Sequence, residues 1–173
     1  MTSTTLKPQL LVSSLLLSTL LITGCSHLPL GSNKSAPTSS THFNASEHLT
    51  EQNKNLVIDF YQGVFSKHQV TEYADRFLDK RYIQHNPHVP DGKAPFVEYF
   101  KDYFKKNPEA NNQIKRVIAS GDLVVLHVHS TQNKQDRGQA IVDIFRVEDG
   151  KIVEHWDVIQ DVPEQSANSN TMF

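Results

Sequence analysis

Acid and base side chains gather in one stretch of the sequence, Val142–Gln160, which reads V-D-I-F-R-V-E-D-G-K-I-V-E-H-W-D-V-I-Q. Asp143, His155 and Asp157 fall within it, and His85 stands upstream in Tyr82-Ile83-Gln84-His85-Asn86-Pro87. Two carboxylates with an imidazole between them suit proton abstraction from carbon beside a carbonyl, provided the fold brings them together. Asp157 and Asp143 are the candidate bases, with His155 and His85 as their helpers. The competing role is structural, with either aspartate paired to Arg137, Arg146 or a backbone amide. His127 and His129 lie two apart on one predicted strand and so share a face; we read them as polar lining of the same pocket. No ligand motif of fixed spacing is present, so no metal is expected. Nucleophile elbow, phosphate-binding glycine loop and dinucleotide fingerprint are also missing, and no cofactor is expected.

Whether these groups meet depends on a hairpin. Glu148-Asp149-Gly150 separates two alternating apolar runs, and Asp-Gly is a strong turn signal. A two-residue Asp149-Gly150 turn sets Glu148 against Lys151 and Asp143 against Trp156. A three-residue turn ending in a left-handed Gly150 sets Val147 against Lys151, Asp143 against His155 and Ile141 against Asp157. The second is expected, because glycine takes the left-handed step that Asp or Glu resists. In that register Asp143, Phe145, Val153, His155, Asp157 and Ile159 share one face. Val142, Ile144, Arg146, Ile152, Glu154, Trp156 and Val158 share the other. Both faces are too apolar to be simply solvated.

The elements that must position this hairpin follow from periodicity. Apolar residues at helical spacing predict helices over Glu47–Ser66, Val70–Leu78 and Pro95–Lys106. Phe96, Tyr99, Phe100, Tyr103 and Phe104 form a broad aromatic stripe along the third. Phe100 and Tyr103, with Phe145 of the hairpin, are candidate walls of a ligand pocket. Arg81–Asn86 reads as a short strand running into Asn86-Pro87, and Pro90-Asp91-Gly92 as a turn. Gln113–Ser120, Leu123–Thr131, Gln139–Glu148 and Lys151–Gln160 read as strands of a meander. Helices first and an antiparallel meander last predict an α+β domain, three helices packed on one face of a curved, mainly antiparallel sheet.

The chain ahead of this domain has another character. Lys7 precedes the apolar run Leu10–Ile22, which is shorter than the ~20 residues of a membrane span and fits the core of an export signal. Cys25, just beyond it, is the only cysteine, so no disulfide can form within the chain. Residues 1–24 are read as a signal peptide and 25–46 as a disordered tether rich in Ser, Thr, Asn and Pro. The domain is placed at 47–163, and 164–173 is read as a frayed tail. A net charge of −2 and the lack of a Lys/Arg block argue against nucleic acid as a partner.

Ile22-Thr23-Gly24-Cys25 resembles the bacterial lipobox. That implies acylation of Cys25 and a lipid-anchored protein of the bacterial cell envelope. Ser26, in place of aspartate, points to the outer membrane if the host is Gram-negative. The element order resembles the cone-shaped fold of nuclear transport factor 2 and ketosteroid isomerase. Tyr82-Ile83-Gln84-His85-Asn86-Pro87, Asp143-Ile144-Phe145-Arg146 and Asp149-Gly150-Lys151-Ile152-Val153-Glu154-His155-Trp156-Asp157 look like the SnoaL-like polyketide-cyclase group, and more narrowly its aldol-condensation members. The resemblance covers Glu47 to Pro163. It implies an aspartate acid/base in the cone, for which Asp157 is the nearest match. Asp143 falls near the family's upstream catalytic position, whereas the helper histidine has no counterpart at a matching place. A homodimer is also implied, with Trp156, Arg146 and Glu154 at its interface. The expected function is binding of a small apolar or carbonyl-bearing ligand in the cone, with cofactor-free cyclase, aldol or isomerase chemistry. The alternative is a non-catalytic envelope lipoprotein whose cone holds a ligand or partner.

Overall fold

The computed structural model describes residues 39–173; the expected signal peptide, Cys25 and the tether up to residue 38 lie outside the described residues. Three helices, α1 (Ser39–Phe65), α2 (Val70–Phe77) and α3 (Lys93–Lys106), are joined by strand β1 (Leu78–Gln84). Strands β2 (Asn111–Ser120), β3 (Leu123–Thr131), β4 (Gln139–Glu148) and β5 (Lys151–Asp161) follow. They form one sheet in the order β1-β5-β4-β3-β2, with β1 parallel to β5 and every other pair antiparallel. This is the α+β architecture expected from the residue pattern.

Alternation along the strands decides where the core sits. Val124, Leu126 and Val128 on β3 and Phe145 and Val147 on β4 are buried against Val57, Phe60, Tyr61 and Val64 of α1. The Phe60 ring lies within 6.4 Å of Phe77, Phe96 and Phe145, tying α1 to both other helices and to the sheet. Gly63 permits the close crossing of α1 and α2, since a Cβ there would sit 2.0 Å from the Tyr73 ring.

Three expectations about local structure are corrected. First, α1 starts at Ser39 and not at Glu47, so the tether is helical over its last residues. The early turns leave Ala45–Leu49 exposed, so they carry no burial pattern for the sequence to betray. Extending an existing helix avoids a second nucleation step, which is why it outruns its packed portion.

Second, the hairpin closes through the two-residue turn. Gly150 has the expected positive φ, 70°, but Asp149 joins it at 50°, and Glu148 pairs with Lys151. Val147 then faces Ile152, Arg146 faces Glu154, and Asp143 faces Asp157, so Val153 is an extra residue bulged out of β5. A short polar side chain lets aspartate enter the left-handed region that most residues avoid. The bulge buries both Ile152 and Val153, whereas a regular strand would turn one of them out. It also restores the face assignment: Asp143, Phe145, His155 and Asp157 still share the helix-covered side, although their partners across the ladder are not those expected.

Third, the tail does not end free. The Phe173 ring stacks on His129 at 4.2 Å and approaches His127 at 5.6 Å, on the sheet face away from the helices.

Candidate active site

The helix-covered face of the sheet, closed over by α3, leaves a hollow of about 180 Å³. Its walls are aromatic, with Phe65, Phe96, Phe100 and Tyr103 opposite Phe145, and its floor holds Asp143, His155 and Asp157. Phe100, Tyr103 and Phe145, the candidate walls, all line this hollow. A larger polar hollow of about 540 Å³ adjoins the mouth and shares Tyr103, Ser130 and Gln139 with it. Of its two carboxylates, Asp136 is engaged by the Gln132 and Gly138 amides, which hold its pKa below the ordinary range, and Asp161 accepts from the Gln139 side-chain amide. The smaller hollow, with the acid/base floor, is the candidate site.

The floor is a chain of hydrogen bonds built from α1, four strands and the loop after β1. Tyr61 of α1 donates its hydroxyl to Asp143 Oδ2 at 2.8 Å and accepts from the Asn112 amide of β2 at 3.1 Å. Asp143 Oδ1 lies 3.0 Å from His155 Nε2, and His155 Nδ1 lies 2.8 Å from Gln84 Oε1 at the end of β1. The Asn86 amide group donates to Asp157 Oδ2 at 2.7 Å. Asp143 and His155 are both buried, and no buried side-chain nitrogen or oxygen lacks a partner among the described residues. Such completeness matters, because an unpaired polar group here would cost about 1–3 kcal/mol.

Burial, reinforced by the nearby Asp143 charge, pushes the ionisation of Tyr61 and Tyr82 well above the ordinary tyrosine range. Both are therefore neutral hydroxyls that can donate. Tyr61 is committed to Asp143, while Tyr82 lines the hollow with the Gln84 side chain beside its hydroxyl. Among the described residues no hydrogen bond reaches the second oxygen of Asp157. It is the one carboxylate oxygen of the floor left open to an incoming molecule.

Asp143, His155 and Asp157 each offer a ligand atom within 4.8 Å of the others, so the trio could in principle hold a cation. Their existing bonds weigh against it. Both oxygens of Asp143 and both nitrogens of His155 are already engaged, and a metal would have to break the His155–Asp143 contact.

Three proposed site residues are not in this hollow. His85 points to the opposite face, where it stacks on Trp156 at 4.6 Å and bonds Glu154 at 2.8 Å. Alternation explains the miss, because Tyr82, Gln84 and Asn86 take the inward positions of that segment and His85 takes the outward one. His127 and His129 also face outward, since Val124, Leu126 and Val128 occupy the inner side of β3. His127 bonds Arg116 and His129 bonds the Arg137 carbonyl, so neither lines the cone. Conversely, Gln84, Asn86, Tyr61, Tyr82 and Asn112 join the site without having been singled out. Parity within the Tyr82–Asn86 word carried the signal for three of them.

Helices packed on a curved five-stranded sheet, with carboxylates and an imidazole on its covered face, define an α+β class of fold. The SnoaL-like polyketide cyclase family model matches residues 55–165, and the chain belongs to that family, within the nuclear transport factor 2-like superfamily. Solved structures agree on the fold. A provisional ketosteroid isomerase from Kribbella flavida is 19% identical with a TM-score of 0.56, covering 69% of this chain and 85% of its own. A provisional polyketide cyclase from Acidithiobacillus ferrooxidans is 20% identical with a TM-score of 0.52, covering 62% and 87%. TsrD from Streptomyces laurentii is 18% identical with a TM-score of 0.52, covering 63% and 88%. No curated protein matches the chain.

Proposed function

We propose that the cone binds a small, uncharged carbonyl compound and that Asp157 abstracts a proton from the carbon beside its carbonyl. The observation that carries this reading is the open oxygen of Asp157 in an otherwise closed hydrogen-bond chain. The C–H electron pair moves into the new C=C bond as the carbonyl π pair moves onto oxygen, and the proton passes to Asp157. Tyr82, kept neutral by burial, donates a hydrogen bond to that oxygen. The resulting enolate is reprotonated in an isomerisation, or attacks a second carbonyl in an aldol or cyclase step. Among the described residues no lysine or arginine lines the hollow, so an anionic ligand would be buried beside carboxylates without compensation. About 180 Å³ suits one ring with a short chain.

The test uses 4-phenylbutan-2-one in D2O, followed by NMR at the positions beside its carbonyl. The protein should accelerate exchange of these protons, and Asp157→Asn should reduce the acceleration by about 10²–10⁴-fold with the fold intact. No acceleration, or equal acceleration by the variant, favours the rival reading of a binding protein without chemistry.

Two further expectations belong to the same proposal. Acylated Cys25 would hold the domain at the bacterial cell envelope, at the outer membrane in a Gram-negative host, a reading that rests on the sequence signals alone. Pairing of two copies through the outer sheet face is supported by the exposed Ile118, Leu123, Val142 and Val158 there.

A further inference from the structure

We infer that Gln84 is a positioning residue that fixes the tautomer of His155, locks a proton between His155 and Asp143, and so leaves Asp157 as the only base of the floor. The inference deepens the proposed function, but its structural half stands without it. A ring nitrogen and an amide oxygen are easily misassigned, so the argument rests on donors whose identity is certain. The backbone N–H of Asn86 can only donate, and it reaches the Gln84 side-chain oxygen at 3.1 Å. That oxygen therefore faces His155 as an acceptor. His155 Nδ1, 2.8 Å away, must carry a proton.

The consequence appears at the other nitrogen. Nε2 lies 3.0 Å from Asp143 Oδ1, and two acceptors cannot share that contact without a proton. The proton sits on one or the other, giving an imidazolium with a carboxylate or a neutral ring with a carboxylic acid. In both cases the pair is neutral as a unit, and Asp143 Oδ2 is occupied by the Tyr61 hydroxyl. Each Asp143 oxygen already holds a partner and the pair shares a proton, so it is a poorer base than Asp157, whose second oxygen has no partner among the described residues. Asp157 is oriented by the same logic: the His88 backbone N–H donates to Asn86 Oδ1 at 2.9 Å, so the Asn86 amide nitrogen must face Asp157. Gln84 and Asn86, two residues apart on one face, thus set the two halves of the floor.

Long-range ¹H–¹⁵N NMR of ligand-free protein with ¹⁵N-labelled histidine reads the tautomer directly. The wild-type His155 signal should show a protonated Nδ1. Gln84→Met keeps the volume and removes the acceptor, and should shift His155 toward the form protonated at Nε2 alone. Gln84→Glu restores an acceptor and should restore the wild-type pattern. On the proposed exchange reaction, Gln84→Met should lower kcat on the order of 10–100-fold with KM for 4-phenylbutan-2-one unchanged. An unprotonated Nδ1 in the wild type, a measurement that needs no variant, overturns the inference, as does an unaltered tautomer in folded Gln84→Met. A protonated Nδ1 without any exchange activity would retain the tautomer assignment and reject the enzymatic reading separately.

Discussion

The two faces of the sheet are built from the same strands and handle polar groups in different ways. On the inner face Asp143 and His155 are buried, and they are tolerated because Tyr61 and Gln84 complete their hydrogen bonds, with Asn112 holding Tyr61 in turn. On the outer face Arg146 bonds Glu154 at 2.7 Å and Glu154 bonds His85, in partial contact with water. Large apolar side chains show the reverse trend. Phe60 and Phe145 are enclosed inside, whereas Val158 is 68% exposed outside. The inner face is organised around fixed proton positions in an apolar enclosure. The outer face offers exposed apolar area beside partly exposed ion pairs.

The strongest challenge to this contrast lies in the core behind the inner face. Phe60→Ala should cost about 3–5 kcal/mol, measured by urea unfolding, because its ring bridges α2, α3 and β4. A loss below 1 kcal/mol would mean the aromatic enclosure is not a packed core.

Acid should act on the outer face in a direction that can be stated. Hydrogen bonds from His85 and then Arg146 hold the Glu154 pKa below its ordinary 4.5. A depressed carboxylate contributes stability that is present above the unfolded value and lost as pH falls through the folded one. Wild type should therefore lose stability below about pH 4.5 by an increment that Glu154→Gln lacks. Identical acid profiles for the two proteins would remove Glu154 from the account.

The smallest effect on folding is expected where the apolar surface is open. Val158→Ser should change monomer stability by no more than about 0.5 kcal/mol. It should nonetheless weaken self-association in analytical ultracentrifugation. A large loss of monomer stability would show that Val158 belongs to a core after all.

The fold was legible because alternation and helical spacing are local. Phe145 and Val147 on β4 and the stripe from Phe96 to Phe104 announce their faces without help. The ladder pairing was not legible, because it depends on Asp149 entering the left-handed region and on a bulge at Val153. Each alters the register by one residue; Asp-Gly permits the two-residue turn without excluding the three-residue one, and the bulge leaves no distinct mark in residue type. The face of Asp143, His155 and Asp157 survived because the two shifts together preserve parity. His85 and His127 were chosen for their chemistry, and strand parity places both outside the cone. Gln84 and Asn86, chemically quieter, occupy the inward positions beside His85. The expected frayed tail failed for another reason, since nothing near Phe173 in the sequence tells that His129 will lie beneath it.

The central claim is that the inner face is the working face. It is tested most directly by titrating ¹⁵N-labelled protein with 4-phenylbutan-2-one and following the backbone and side-chain amide signals. The account predicts shifts at Gln84, Asn86, Phe100, Tyr103 and Asp157, with none from benzoate at the same concentration. Shifts centred on Arg146, Trp156 and Val158, or equal responses to the ketone and the carboxylate, would contradict it.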